Sequence, residues 1–273
     1  MPDSDRASSF GADALLPLVF DVHAHHPAAW GRTAAHRFVA AGFSPSSNTD
    51  VISAIASCPR GWMALGLGPQ EIQRADRYPD PEAAISQVEE QARTVRAHPA
   101  LSSKLVAIGE VGLDNHWGQT PADRARQFAA FERMIALARS LDLPLVIHSR
   151  DAEGDCVKQL LAASHLHAAQ RGSSAPHLRV LMHCFGGTLE QARACADAGW
   201  LVSIPPVPSK ERKKIIAALP LSSLVVESDA PYIGKESGSG ALKSAEMIAK
   251  YQGISLEEAA RATARNAQAF FRL

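Results

Sequence analysis

Six residues stand out because their types and spacing suit metal ions. His23 and His25 lie two apart in Asp21-Val-His-Ala-His25, so on an extended segment both imidazoles project to one side and can reach one ion. Glu110, His148, His183 and Asp229 follow singly, each just after or inside a short apolar run. Together they offer more nitrogen and oxygen donors than one tetrahedral zinc can use, but the set suits two divalent ions sharing a bridging carboxylate. His23, His25 and Asp229 are expected on one ion and His148 and His183 on the other, with Glu110 between them. Such a pair can hold a hydroxide and a substrate oxygen for an in-line hydrolysis, with Glu110 and Asp229 as catalytic carboxylates and Asp229 as the general base or proton shuttle.

Residues so far apart in sequence meet only if the fold gathers strand ends. Apolar runs at 16–20, 51–56, 62–67, 105–108, 143–147, 179–182, 200–204 and 224–226 read as parallel strands buried on both faces, because they lack strict polar alternation. Helical patterns separate most of them. The clearest is 121–141, with Thr120 as N-cap, Pro121 at the first helical position and Phe128, Phe131, Ile135 and Ala138 expected to face the barrel. Repeated strand–helix units predict a single (β/α)8 barrel over 15–273, preceded by a flexible segment over 1–14. The stretch 52–62 fits poorly, since it is too short for a helix between the second and third strands. The Gly/Ser-rich segment 234–240 reads as a mobile surface loop, and 255–273 as two amphipathic turns closing the outer layer. In such a barrel all C-terminal strand ends converge on one face, where the six residues would share a cavity.

Composition narrows the partners. The 273 residues carry 28 Lys+Arg against 28 Asp+Glu, a formal net charge of +0, which argues against holding nucleic acid by bulk surface charge. A dinuclear centre brings its own positive charge, so a polyanion could still be held locally. The four cysteines show no C-x-x-C pair, the first residues are polar, and no apolar run reaches a membrane span. A cytoplasmic protein without membrane contact or an obligate protein partner is expected.

Other residues are open to two readings. Arg150 either forks a phosphate or pairs with Asp151. His26 and His116 are candidate substrate contacts at the cavity mouth. Glu227 either orients a ligand histidine or faces inward as an ordinary barrel residue. Lys210, Arg212, Lys213 and Lys214 read as a solvated helix face, Cys184 as a small core residue, and Asn266 as a helix-packing position. His36, His98, His165, His167 and His177 read as surface residues.

The motifs DVHAH (21–25), GEVGLD (109–114), LDLPLVIHSRDA (141–152), HCFGGTLEQA (183–192), VVESDAPY (225–232) and ARNAQAFF (264–271) together resemble the TatD family of metal-dependent deoxyribonucleases, within the amidohydrolase-like barrels. The resemblance runs from about residue 20 to residue 271, in the family's order. It implies a barrel with one or two divalent ions and hydrolysis of DNA phosphodiester bonds, often exonucleolytic. The family's metal positions fall on His23, His25, Glu110, His148, His183 and Asp229. Three segments depart from the family pattern on the substrate side. Gly66-Leu-Gly68-Pro69 stands where Gly-x-His-Pro is usual, 234–240 lacks an Asn-x-Pro element, and Ile204-Pro-Pro-Val-Pro208 replaces a glycine-rich turn.

Zn²⁺, Mn²⁺ and Fe²⁺ suit the imidazole-rich set, and Mg²⁺ is admitted by its carboxylates. DNA is the expected substrate. Two alternatives stand beside it: a hydrolase of small amides, esters or lactones, motivated by the altered mouth and zero net charge, and a non-catalytic metal-stabilised binding protein.

Overall fold

The computed structural model describes residues 14–29, 31–171 and 178–273, with side chains described except at 29 and 165–171. Eight parallel strands close into a barrel: β1 (Phe20–Ala24), β2 (Arg37–Ala41), β3 (Gly61–Leu65), β4 (Leu105–Asp114), β5 (Leu145–Arg150), β6 (Val180–Met182), β7 (Leu201–Ile204) and β8 (Leu224–Val226). Asp21 pairs with Val226 to close it. The outer layer is built from α1 (Pro45–Ile55), the single turn α2 (Pro69–Ile72), α3 (Pro81–Ala97), α4 (Pro121–Ser140), α5 (Glu153–Arg171), α6 (Leu189–Asp197), α7 (Lys210–Ala218), α8 (Ser237–Gln252) and α9 (Leu256–Phe271). This is the (β/α)8 barrel expected from the strand–helix alternation.

Several expected elements are corrected. The second strand is not 51–56, which lies in α1, but Arg37–Ala41. Val51 and Ile55 are buried at helical spacing, and Ser44 caps the helix by accepting from Ser47 N–H, a capping box that outweighs a short apolar run. That placement removes the misfit at 52–62. The first strand begins at Phe20, because Pro17 sits in a 3-10 turn over Leu16–Leu18. Strands β4 and β5 run past their expected ends, so Glu110 and His148 lie within strands. Phe128 is 45% exposed rather than turned to the barrel, and Gln127 is buried in its place. The segment 234–240 is not a loose surface loop: Ser237, Gly238 and Gly240 are buried, and α8 begins inside it. The tail is one 16-residue helix rather than two turns. The flexible segment expected over 1–14 lies, up to residue 13, outside the described residues.

Apolar packing leaves one end of the barrel for chemistry. Strand residues Phe20, Val39, Ala64, Ala107, Val146, Leu181, Leu201 and Val225 form an inner cluster with Ala264, Ala267, Phe270 and Phe271 of α9. Phe271 packs on Phe20, the first residue of β1 (6.1 Å between ring centroids), and the Phe270 carbonyl accepts from Arg179, just before β6. Helix α9 therefore stoppers the N-terminal end, and the C-terminal end stays open. Phe271→Ala is expected to cost about 3–5 kcal/mol by lost burial and a cavity. Urea unfolding should show the loss, while metal binding of the folded fraction stays unchanged.

Candidate metal centre

At the C-terminal end, β1 delivers His23 and the residue just after that strand is His25, β4 delivers Glu110 and Asp114, and β5 delivers His148. The residues just after β6 and β8 supply His183, Glu227 and Asp229. Gly112 makes the β4–β5 approach possible: a Cβ there would lie 2.0 Å from the His148 carbonyl, and its φ of +145° disfavours any other residue. The structure brings the six residues of the metal set together. His23, His25 and Glu110 offer ligand atoms within 4.8 Å of one another, as do Glu110, His148 and His183, and so do His23, His183 and Asp229. Glu110 is thus common to a β1 group and a β5–β6 group.

Hydrogen bonds aim the imidazoles. His25 donates from Nδ1 to the Ala41 carbonyl (2.9 Å), leaving Nε2 toward the centre, 3.5 Å from Glu110 Oε2 and 3.4 Å from Asp229 Oδ1. His183 donates from Nδ1 to Glu227 Oε2 (3.0 Å), and its ring stacks on His23 at 3.5 Å. His148 donates from Nε2 to Asp114 Oδ2 (3.0 Å), and its Nδ1 lies 2.7 Å from Glu110 Oε1. Asp114 and Glu227 therefore do for His148 and His183 what outer carboxylates do in metal sites: they fix ring orientation and raise basicity.

Burial favours the neutral forms here, and the carboxylates overturn it. Burial would raise Glu110, but hydrogen bonds from His148 and His23 hold it well below the usual carboxylate range. Burial would depress His148, yet Asp114 and Glu110 lift it to about 9. His183 is similarly lifted against burial, by Glu227 and Asp229, to about 10. His23 has too little carboxylate to offset burial and the His183 charge, and falls to about 3.

The residues fit divalent metal. His23 Nε2 and His25 Nε2 lie 3.0 Å apart, and Asp229 Oδ1 is buried without a hydrogen-bond partner. Converging nitrogen lone pairs and an unpartnered carboxylate oxygen are favourable only around a cation. Nitrogen and oxygen donors without thiolate match Zn²⁺, Mn²⁺, Fe²⁺ or Mg²⁺.

The other named positions fare differently. Arg150 is exposed two residues beyond His148, and Asp151, its alternative partner, lies 3.7 Å from His116 Nδ1. His26 stands at the rim, 3.2 Å from the Tyr232 hydroxyl. Arg212 is not part of a solvated face, since it donates to the Val207 and Phe185 carbonyls. Asn266 donates to the Leu221 and Leu224 carbonyls and so ties α9 to β8. His98 is exposed, while His165, His167 and His177 have side chains outside the described residues.

Sequence reasoning missed Asp114, Gln70 and Gln127. Asp114 closes the GEVGLD motif four residues after Glu110, a signal that was available. Gln70 donates to Glu110 Oε1 (3.2 Å) directly after the Gly68-Pro69 turn where a histidine is usual. Gln127, on α4, holds the Asp114 backbone by accepting from its N–H (2.9 Å) and donating to its carbonyl (3.0 Å). Nothing local in the sequence marks that contact.

His36 was expected on the surface but is buried, with its Nε2 2.7 Å from Ser237 Oγ. Burial, helped by Arg60, lowers it from 6.5 to about 4. Between those values the unfolded chain binds a proton that the fold refuses, so this contribution to stability is present above pH 6.5 and lost as pH falls toward 4. The advantage of wild type over His36→Gln should shrink across that window by on the order of 3 kcal/mol. Urea midpoints between pH 4.5 and 7.5 would read it; a constant difference would contradict it.

Comparison with known proteins agrees with this geometry. The family model described as "TatD related DNase" matches residues 21–272. An uncharacterized metal-dependent hydrolase, YabD of Bacillus subtilis, is 31% identical over 94% of this chain and 100% of its own length. The human deoxyribonuclease TATDN3 is 32% identical over 74% of this chain and 69% of its own. The crystal structure of YjjV, a TatD homologue from Escherichia coli, superposes with a TM-score of 0.76 at 22% identity, covering 94% of this chain and 99% of that one.

Proposed function

The chain belongs to the TatD family of metal-dependent hydrolases, and from that membership we propose that it is a deoxyribonuclease cleaving DNA phosphodiester bonds, acting from strand ends. The observation that carries this reading is Glu110, whose carboxylate is common to the His23/His25 and His148/His183 groups. His23, His25 and Asp229 would hold one ion and His148 and His183 the other, with Glu110 bridging. When bound, the ions supply Lewis-acid activation of water and of a phosphate oxygen.

The chain's own residues supply the rest. The Asp229 carboxylate, 7% exposed at the centre, accepts the proton of the attacking water as the water's oxygen bonds to phosphorus and the ester P–O bond breaks. The same carboxyl returns that proton to the leaving alkoxide. Arg150, exposed beyond His148, offers a planar fork for a phosphate. His26 and His116 are candidate contacts at the rim. With a formal net charge of +0, the grip on DNA is concentrated at the centre and spans a short footprint.

Similarity to human TATDN3, itself named a deoxyribonuclease, supports DNA as substrate; the departures at the mouth favour a second reading, hydrolysis of a small amide, ester or lactone. There Gln70, two residues after Gly68 at the usual histidine position, reaches Glu110. The test is nucleotide release from single-stranded DNA with Mg²⁺ or Mn²⁺, comparing wild type with Glu110→Ala and Asp229→Ala. Wild-type release that both variants lose supports the nuclease. Equal rates in all three would sink it, and turnover of an amide, ester or lactone panel without DNA cleavage would favour the second reading.

A further inference from the structure

Behind the metal centre lies a buried polar chain that the proposed reaction does not use. Asp21 is fully buried, yet its carboxylate accepts four hydrogen bonds: His23 N–H (3.2 Å), Ser228 N–H (2.9 Å), Ser228 Oγ–H (2.5 Å) and Ser237 Oγ–H. Since Ser237 gives its proton to Asp21, it accepts from His36 Nε2–H (2.7 Å). Ser228 and Ser237 are 0% and 3% exposed and His36 5%, so water screens none of these bonds. The chain joins the start of β1, the turn after β8 and the first residue of α8.

What it holds is the turn carrying Asp229. That residue has φ +47°, a left-handed conformation that a non-glycine residue keeps only where its surroundings fix it. Asp229 N–H donates to the His23 carbonyl (3.0 Å), His25 N–H to the Ala230 carbonyl (2.7 Å), and Ala230 N–H to Ser228 Oγ (3.1 Å). The glycines of the segment after it seat closely on the same turn. A Cβ at Gly240 would lie 2.7 Å from Ser228 Cβ, one at Gly234 2.8 Å from the Ser228 carbonyl, and one at Gly238 2.7 Å from His36 Nδ1. The 234–240 segment therefore works as a clamp, and its glycines are there for close approach.

We propose that Asp21 is a positioning residue which, through Ser228 and through Ser237 to His36, holds the Asp229 carboxylate in register with His23 and His25. The proposal rests on the reading of Asp229 as a metal ligand. It does not depend on what the substrate is.

Mn²⁺ binding and the visible absorption of the Co²⁺-loaded protein test it without any activity assay. Ser237→Ala cuts the link to His36 and is expected to weaken Mn²⁺ binding about tenfold and alter the Co²⁺ bands, as loss of an outer partner does in metal sites. Ser237→Thr, which keeps the hydroxyl, should recover most of the affinity. In an Asp229→Ala background the same Ser237→Ala change should shift Mn²⁺ affinity less than twofold, because the group it positions is gone. Unchanged affinity and bands in Ser237→Ala would overturn the proposal, and so would an undiminished tenfold loss in the Asp229→Ala background. Should Ser237→Ala not fold, His36→Gln enters the same cycle with the same expected outcomes. Absence of Mn²⁺ binding by wild type would overturn the metal reading and this proposal together, whereas absence of DNA hydrolysis would touch only the nuclease reading.

Discussion

Glu110→Gln is expected to lower hydrolysis by roughly 10³-fold or more. Glutamine has nearly the same size and keeps one oxygen, so packing among His23, His25 and His148 changes little. What disappears is the negative charge that both groups share, with Oε1 2.7 Å from His148 Nδ1 and Oε2 3.5–3.6 Å from His25 and His23. One substitution therefore weakens both ion positions at once. Metal content should fall with the rate, and elemental analysis of the dialysed protein beside a steady-state assay would show it. A variant with full rate and full metal content would remove Glu110 from the centre.

Asp229→Asn separates holding metal from moving a proton. The amide oxygen can still face His25 and His23, 3.4 and 4.0 Å away in the native side chain, so metal content should fall far less than the rate. The amide cannot accept the water's proton, and kcat should drop by roughly 10²–10⁴-fold, the range that general acid–base catalysis spans. KM should move much less, because Asp229 acts on the reacting water rather than on the body of the substrate. The two carboxylates thus predict different pairs of readings: rate and metal falling together for Glu110, and a rate loss well beyond the metal loss for Asp229.

The gathering of the six candidate ligands was legible because metal chemistry admits few residue types and a barrel collects strand ends. His23 and His25 announce themselves by an i, i+2 spacing on an extended run. Glu110, His148, His183 and Asp229 each adjoin an apolar strand. Elements decided by tertiary contact were not legible. Residues 51–56 are as apolar as a strand, and only the Ser44 cap and the burial of Val51 and Ile55 make them a helix. The segment 234–240 has loop composition, but its glycines are selected by proximity to Ser228 and His36, partners far away in sequence. Gln127 and Asp21 belong to the same class: their roles exist only once α4 lies on β4 and β1 lies beside β8.

A formal net charge of +0 gives the chain no bulk electrostatic grip on a polyanion. Under the nuclease reading, surface charge cannot coat DNA, so attraction would come from the centre and from Arg150, two residues beyond His148. Cleavage should therefore depend on added metal far more steeply than on the length of the DNA.

The most direct test of the account is a crystal structure of the metal-loaded protein with anomalous scattering recorded at the metal's absorption edge. It should show anomalous density flanking the Glu110 carboxylate, with two peaks ~3.5–4 Å apart at full loading, one on His23 and His25 and one on His148 and His183. A protein soaked in excess Mn²⁺ or Zn²⁺ that shows no peak within reach of Glu110 would contradict it.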